Sequence, residues 1–245
     1  MAIFKSFTFD GVNSLTYGIY TTGLVYGAPV RAVEMYPIPG RNGALAIDQG
    51  RFENIAVTYQ CGCFATDQAT FADKIKAFRN ALCSRYNYAR LTDDYHATEY
   101  RLALYSAGLE VEPFMSKAGQ FEVTFEAKPQ RFLTSGETYT TYSSGSSVTN
   151  STRFDAKPLI KVTGYGTVTI GGITMTITGS SGVVTYIDCD LMECYRYSGS
   201  AIVSANSAVT FSGNDFPKLA GASSTGVTYS GNVTKVEIMP RWWIV

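Results

Sequence analysis

The sequence predicts a mainly β protein of two domains with a single α-helix. Three observations carry this prediction: apolar and polar residues alternate along most of the chain, one stretch has the period of a helix, and one polar stretch near the middle is rich in serine, threonine and glycine. The chain has 245 residues, of which 17 are Tyr and 14 are Phe. Aromatic residues favour strands, and this length suits two domains of about 100–150 residues each.

The helix is predicted over residues 66–85. Apolar residues recur there at the spacing of one helix face, and they are Phe71, Ile75, Phe78 and Leu82. Thr66 precedes the first helical turn and is the expected N-cap residue.

Strands are predicted on both sides of this helix. Arg31–Tyr36 reads as a strand that runs into residues 37–43, where two prolines and an Asn-Gly pair indicate a tight reversal. In the second half, residues 167–177 form a hairpin pattern around Gly171-Gly172, a pair that supplies positive φ angles. Short strands at this spacing are typical of a β-sandwich.

Residues 134–153 are predicted to be a linker. They are polar, rich in Ser, Thr and Gly, and nearly free of large aliphatic side chains. We therefore expect an N-terminal domain over residues 1–133 and a C-terminal β-sandwich over residues 154–245.

The charge balance limits which classes of partner are expected. Charged residues make up 16% of the chain, and Lys+Arg and Asp+Glu are both 20, which gives a formal net charge of zero. A chain this neutral offers no electrostatic attraction to nucleic acid or to an anionic membrane, and it is poorly protected against association. The first seven residues lack the features of a signal peptide, and no apolar run approaches the roughly 18 residues of a membrane span. We expect synthesis in a cytoplasm and no membrane partner.

Catalytic machinery is not expected. His96 is the single histidine, so a multi-histidine metal site is excluded by count. A zinc site of His96 with Cys61, Cys63 and Cys83 matches no zinc-finger or zinc-ribbon spacing, and the five cysteines are expected to be reduced. We predict no catalytic, cofactor-binding or metal-binding residues, no cofactor, and a protein that is not an enzyme.

Two carboxylate clusters have more than one interpretation. Asp93-Asp94 is typical of a turn, with an acid–base role as the alternative. Asp188, Asp190 and Glu193 surround Cys189 and favour a structural turn, with a calcium loop and a glycosidase-like carboxylate pair as the alternatives.

The tandem tryptophans Trp242 and Trp243 are a candidate binding feature. Adjacent residues of a strand point to opposite faces, so we expect one to fill the core and the other to cover an interface or the linker. Exposed aromatic side chains also stack on sugar rings, which keeps carbohydrate binding open.

Nine short motifs lie in a fixed order across nearly the whole chain. They are Phe7–Ser14, Ile38–Gly43, Leu91–Asp94, Ala127–Phe132, Asn150–Phe154, Ala156–Ile160, Tyr186–Cys189, Asp215–Leu219 and Pro240–Trp243. None of them is specific alone, but the ordered set resembles the distal tail proteins of long, non-contractile-tailed bacteriophages and related prophages.

The resemblance implies a fold and an architecture. The N-terminal domain is expected to be a β-sandwich with one α-helix and a β-hairpin arm, close to the tail-tube fold. The C-terminal domain is expected to be a galectin-like β-sandwich.

The resemblance also implies a function. It indicates a structural virion protein that forms a hexameric ring joining the tail tube to the tail tip or baseplate. Expected partners are copies of the chain itself, the tail tube protein and a tail-associated lysin or receptor-binding protein, with DNA passing through the ring without specific binding. The expected location is the tail tip of the virion, after assembly in the host bacterial cytoplasm. The alternative is a host-surface carbohydrate-binding protein that acts through the C-terminal β-sandwich.

Overall fold

The computed structural model describes residues 4–114 and 117–245, with the backbone alone at residues 112–114. Residues 1–3 and 115–116, which the predicted N-terminal domain includes, lie outside the described residues. Within the described part, strands dominate and one α-helix is present, so the predicted mainly β fold with a single helix is confirmed. The chain divides into two compact units, Met1–Arg131 and Phe132–Ile244.

The first unit contains the helix and the strands on both sides of it. Its elements are β1 (Phe7–Phe9), β2 (Val12–Asn13), β3 (Ile19–Tyr26), β4 (Arg31–Pro37), β5 (Ala44–Phe52), β6 (Ile55–Phe64), α1 (Gln68–Cys83), β7 (Ala89–Asp93), β8 (Glu99–Leu104), β9 (Val111–Phe114) and β10 (Ala118–Ala127).

The second unit is built from strands and short 3-10 turns. Its strands are β11 (Arg131–Leu133), β12 (Thr140–Tyr142), β13 (Ser146–Asn150), β14 (Leu159–Ile170), β15 (Ile173–Ile177), β16 (Val184–Asp188), β17 (Glu193–Ser198), β18 (Ala201–Ser204), β19 (Val209–Phe211), β20 (Ser223–Met239) and β21 (Trp243–Ile244).

The large sheet of the first unit closes on itself. Its strand order is β2-β1-β7-β8-β10-β6-β3. β3 returns to the segment just before β1, where the Thr21 N–H donates to the Lys5 carbonyl at 2.8 Å. The six strands β1, β7, β8, β10, β6 and β3 therefore form a closed barrel, which leaves fewer strand edges exposed than an open sheet does.

The interior of this barrel is aromatic. The Phe7 ring stacks on Tyr59 with centroids 4.6 Å apart, and Phe125 meets Phe7 edge-on at 5.4 Å. The helix adds the four apolar side chains that its period predicted, and among them Phe78 lies 6.1 Å from Phe7. Aromatic pairs in such geometries stabilise a core beyond the area they bury.

The helix begins later than predicted. Its N-cap residue is Asp67, whose Oδ1 accepts a hydrogen bond from the Thr70 N–H at 2.9 Å. Thr66 instead donates its hydroxyl to Asp67 Oδ2, so the expectation that Thr66 is the cap was wrong. A carboxylate is the stronger acceptor beside the positive end of a helix.

Two long strands organise the second unit. β14 pairs with β16 through its first half and with β15 through its second half, while β20 pairs with β13 early and with β12 late. The register between β14 and β20 shifts at Thr163/Gly164, a β-bulge at which both strands bend, so that their two halves pair with different neighbours. The result is the two-layered C-terminal sandwich that was predicted.

The region predicted as a linker, residues 134–153, is ordered. β12 and β13 lie within it, and Val148 and Asn150 of β13 are buried. The Asn150 side-chain amide donates to the carbonyls of Phe154 and Leu219, at 2.9 and 3.0 Å. These strands lie at sheet edges with one face towards solvent, so their composition is polar like that of a linker.

Gly164 is where a side chain would damage the bend. It has a φ of 100°, and a Cβ atom there would lie 2.1 Å from the Asn232 carbonyl oxygen. We predict that Gly164→Ala lowers the free energy of unfolding by about 3 kcal/mol, because strain and a backbone clash combine. Urea denaturation followed by far-UV circular dichroism measures this loss.

Gly172→Ala is the matched control. Gly172 also has a positive φ, 83°, but a Cβ atom there meets nothing within 4 Å. Its loss should be about 1 kcal/mol, from backbone strain alone. Equal losses for the two variants would contradict the clash at the bend.

Candidate assembly site

A free-standing hairpin is the most prominent surface feature of the first unit. β4 and β5 pair with each other in a separate two-stranded sheet, with Glu34 opposite Ile47 and Tyr36 opposite Leu45. We call this hairpin, residues 31–52, the arm. It is the β-hairpin arm that the resemblance implied, and its first strand and reversal lie where the sequence predicted them.

The arm exposes apolar side chains on both of its faces. The register places Val33 and Met35 on one face, and Tyr36, Leu45 and Ile47 on the other. Met35 is 60% exposed and Leu45 is 50% exposed. Contiguous exposed apolar surface of this kind marks an interaction site.

The charges of the arm are concentrated at its base. Arg31 pairs there with Asp48, and this hydrogen-bonded guanidinium holds the pKa of Asp48 below its usual range. Between residues 32 and 47 the charged residues are Glu34 and Arg41 alone. The outer part of the arm is therefore suited to apolar packing rather than to electrostatic attraction.

A cluster of aromatic and charged side chains lies where the chain enters the arm. Tyr26 ends β3, and the guanidinium groups of Arg101 and Arg131 each lie 5.5 Å from the centroid of its ring. Its hydroxyl lies 3.2 Å from His96 Nε2. Burial and the neighbouring Arg131 lower the pKa of Arg101 to about 10.

This cluster continues into the barrel core through Asp93. His96 Nδ1 lies 3.4 Å from Asp93 Oδ1, and the Tyr59 hydroxyl donates to Asp93 Oδ2 at 2.8 Å. Burial, reinforced by the Asp93 carboxylate, raises the pKa of Tyr59, so its hydroxyl stays protonated and acts as a donor. Asp93 Oδ1 also accepts the backbone N–H groups of Tyr95 and His96, which is the turn predicted at Asp93-Asp94.

The cysteines considered as zinc ligands lie in different environments. Cys61 and Cys63 are buried in the barrel core, whereas Cys83 is exposed at the end of α1. Burial raises the pKa of the Cys61 thiol to about 12, which disfavours the thiolate that a metal requires. Among the described residues, no three His, Cys, Asp or Glu side chains are grouped so as to hold a metal ion.

The second carboxylate cluster is a structural turn. Arg241 donates Nη1 to Asp188 Oδ1 at 2.7 Å and Nη2 to Asp188 Oδ2 at 2.8 Å. Asp188 Oδ1 also accepts the backbone N–H groups of Asp190 and Leu191. Burial by itself raises the pKa of Asp188, but these hydrogen bonds outweigh it and lower that pKa. Both oxygens are thus committed, which leaves the calcium-loop and glycosidase interpretations without support.

The tryptophans were expected to divide between the core and an interface or the linker, and Trp242 does lie beside Gly136 of the predicted linker. Trp242 and Trp243 are both partly buried against the core of the second unit. Trp243 stacks on Phe154 at 4.4 Å and donates its indole N–H to the Asp155 carbonyl at 2.9 Å. The alternation expected for a strand fails because Arg241 has a φ of 56° and β21 begins only at Trp243.

Residues 15–127 match the family model of the phage tail protein RIFT-related domain. The match lies within the first unit and covers less than half of the chain. In the structure these residues form the packed helix and the strands of the barrel other than β1. Among the described residues, no helix combines the length and hydropathy that crossing a bilayer requires.

Solved structures extend the likeness to the whole chain. Dit of phage SPP1, reported as a paradigm of the hub adsorption apparatus in phages that infect Gram-positive bacteria, aligns with a TM-score of 0.70 at 13% identity, over 98% of this chain and 99% of that chain. A chain of the phage p2 baseplate in its activated conformation with Sr aligns with a TM-score of 0.52 at 8% identity, over 96% of each chain. No curated protein matches the sequence significantly. The predicted resemblance to distal tail proteins is confirmed, and at these identities the structures show a shared fold.

The Asp188–Arg241 pair makes a testable contribution to the second unit. We predict that Asp188→Asn lowers the free energy of unfolding by about 3 kcal/mol at pH 7, because it leaves a partly buried guanidinium without its charged partner. The folded-state pKa of Asp188 lies below the unfolded value of about 4. Its contribution is therefore full above the unfolded pKa and is lost as pH falls through the folded pKa.

Urea denaturation between pH 7 and pH 2.5 checks both statements. The difference in free energy of unfolding between the unmodified chain and Asp188→Asn should become smaller towards pH 2.5. Asp190→Asn is the control, because Asp190 is exposed and pairs with exposed Lys157 at 3.4 Å, so its loss should stay within about 0.5 kcal/mol. A gap that does not depend on pH would contradict the assignment.

Proposed function

We propose that this chain is a structural hub of a phage tail, a ring-forming protein that joins the tail tube to the tail tip. The phage tail domain of the first unit and the whole-length likeness to SPP1 Dit support this role. The observation that carries it is the arm, whose apolar side chains face solvent on both sides in a single copy of the chain.

The arm suits a ring because its two faces differ. Val33 and Met35 lie on one face, and Tyr36 and Leu45 lie on the other. A cyclic ring needs a heterologous contact, in which one surface of each copy meets a different surface of the next. An arm laid across a neighbouring copy provides such a contact, and a hexamer is the ring size that the resemblance implies.

The charge balance fits the same role. The formal net charge is zero, so copies do not repel one another when they assemble. A neutral ring also lets DNA pass without holding it, since DNA binding requires neutralisation of many phosphates by Lys and Arg.

The proposed partners follow from this position. They are further copies of the chain, the tail tube protein on one side, and a tail-associated lysin or receptor-binding protein on the other. The proposed location is the tail tip of the virion, after assembly in the host cytoplasm. We propose no catalytic step and no cofactor.

Carbohydrate binding by the second unit is a second candidate, and it is favoured by tyrosines rather than by the tryptophans. Tyr186 stacks on Tyr195 at 5.1 Å, and Tyr197 meets both rings edge-on. They lie on the opposite sheet face from buried Ile187 and Cys194. Aromatic surfaces of this kind stack on sugar rings.

A glycan array probed with the full chain tests this second candidate. If the second unit binds carbohydrate, the unmodified chain should bind a saccharide on the array and Tyr197→Ala should not, because Tyr197 is the most exposed of the three tyrosines. Trp243→Phe, whose ring is packed against Phe154, should bind as the unmodified chain does. An array with no signal above background would remove the candidate.

The ring itself is tested by the mass of the purified full chain. We predict an oligomer at tens of micromolar by multi-angle light scattering, and six-fold rings in negative-stain images. The double variant Met35→Thr, Leu45→Thr should weaken assembly by about tenfold or more, because it removes apolar side chains from both faces of the arm. Threonine keeps the strand propensity, so thermal unfolding of the barrel should not change.

Tyr86→Ser is the matched control, because Tyr86 is 84% exposed on the same unit but lies outside the arm. It should assemble as the unmodified chain does. A monomeric unmodified chain, or equal assembly of the arm variant, would contradict the proposal.

A further inference from the structure

One edge of the second unit lacks the usual protection of an edge strand. β18, at the end of the strand order β12-β20-β14-β16-β17-β18, pairs with β17 on one side and has no strand partner on the other among the described residues. Its sequence, Ala201-Ile202-Val203-Ser204, has no charged residue and no proline. Natural proteins use charges, proline or bulges to keep such edges from pairing with other chains.

The outward backbone groups of β18 follow from its register. The Ala205 N–H donates to the Cys194 carbonyl at 2.8 Å. Hydrogen-bonded and non-bonded pairs alternate along an antiparallel ladder, so Val203 also faces β17. The N–H and C=O groups of Ile202 and Ser204 therefore point away from the sheet, spaced as a further strand requires.

The side chains of β18 reinforce this reading. Ile202 is 66% exposed, and Val203 is also exposed. By contrast, the edge strands β12 and β13 consist mainly of Thr and Ser with Asn150, and their Val148 is buried. Among these three edges, β18 combines free backbone groups with exposed β-branched apolar side chains.

The neighbouring strand indicates what an added strand would contact. Ile202 lies opposite Tyr197, and Ser204 lies opposite Tyr195, so the outer face of β18 continues the tyrosine cluster. On the other face, Val203 lies opposite Arg196, which already donates to the Thr178 carbonyl and the Thr185 hydroxyl. A strand added beside β18 would thus lie next to Ile202 and the tyrosines on one face of the sheet. On the other face it would lie near Arg196, whose guanidinium is already hydrogen-bonded.

We propose that β18 is a docking edge for an extended segment of another protein, which adds to the sheet as a strand. The chemistry of the edge selects an uncharged segment with an apolar or aromatic residue beside Ile202 on the tyrosine face, held by backbone hydrogen bonds. A second copy of β18 is disfavoured, because two identical antiparallel edges pair about a local two-fold axis and neighbouring copies in a cyclic ring of more than two are not related by one. This last step rests on the proposed ring, whereas the docking edge itself does not.

A designed strand peptide provides the probe. The full chain is titrated with a fluorescent, uncharged eight-residue peptide with blocked termini, Ser-Thr-Val-Thr-Tyr-Thr-Val-Ser, and binding is followed by anisotropy. Backbone amide exchange is then measured with and without the peptide. We expect saturable binding and slower exchange at Ile202 and Ser204, the two amides that face outward.

Ile202→Pro is the decisive variant. Proline removes the outward N–H but no hydrogen bond to β17, so the fold should be retained while peptide binding weakens about tenfold or more. Ile202→Thr keeps the N–H and a β-branched side chain, and it should bind within about threefold of the unmodified chain. Ile202→Lys serves as a second blocking variant, because lysine is a natural protector of edges, and it too should weaken binding.

Several results would overturn the proposal. They are an absence of peptide binding, protection at β12 or β13 in place of β18, and binding that neither Ile202→Pro nor Ile202→Lys reduces. A dimer of the full chain that Ile202→Pro dissolves would show that a second copy, rather than another protein, occupies the edge. An intact six-fold ring that binds no peptide would reject the docking edge and leave the hub proposal standing.

Discussion

The backbone of a strand must find a hydrogen-bond partner on each side, and this constraint shapes both units. The first unit meets it by closure, since Thr21 of β3 bonds back to Lys5 beside β1. The second unit meets it by sharing β14 and β20 between two layers. The arm and β18 are two of the places where the described chain leaves strand edges unpaired. These two places also expose apolar side chains, so unmet backbone pairing and exposed apolar surface coincide where assembly is proposed.

Side-chain periodicity predicted those parts of the fold that depend on local order. The four apolar residues of α1 face the core as their spacing indicated, and the Gly171-Gly172 turn lies between β14 and β15. The linker prediction failed because an edge strand with one wet face has the composition of a loop, and the pairing of β12 and β13 with β20 joins residues more than 70 positions apart. β5 was missed for a similar reason: Ala44–Phe52 has weak alternation, and its partner β4 fixes it as a strand.

The candidate sites likewise divide into features that local sequence predicts and features that depend on residues far apart in the chain. A turn at Asp188 followed from closely spaced carboxylates, but its partner Arg241 lies 53 residues away and no local pattern indicates the pair. The exposure of Met35 and Leu45 is likewise a tertiary property, because the same residues would be buried in a larger sheet. The ordered motifs predicted a distal tail protein, yet they said nothing about which side chains make contacts.

The central position of β20 has a consequence for how the chain is made. β20 pairs with β12, β13 and β14, so neither layer of the second unit has its central strand until residue 239 has left the ribosome. The seven strands from β2 to β3 in the strand order of the large sheet all end by residue 127, and domains generally fold in the order of their synthesis. The unit that bears the arm therefore completes its fold first, while the unit that bears β18 is still an open chain. Because the chain is translated from its N-terminus, the arm is thus formed before β18 is.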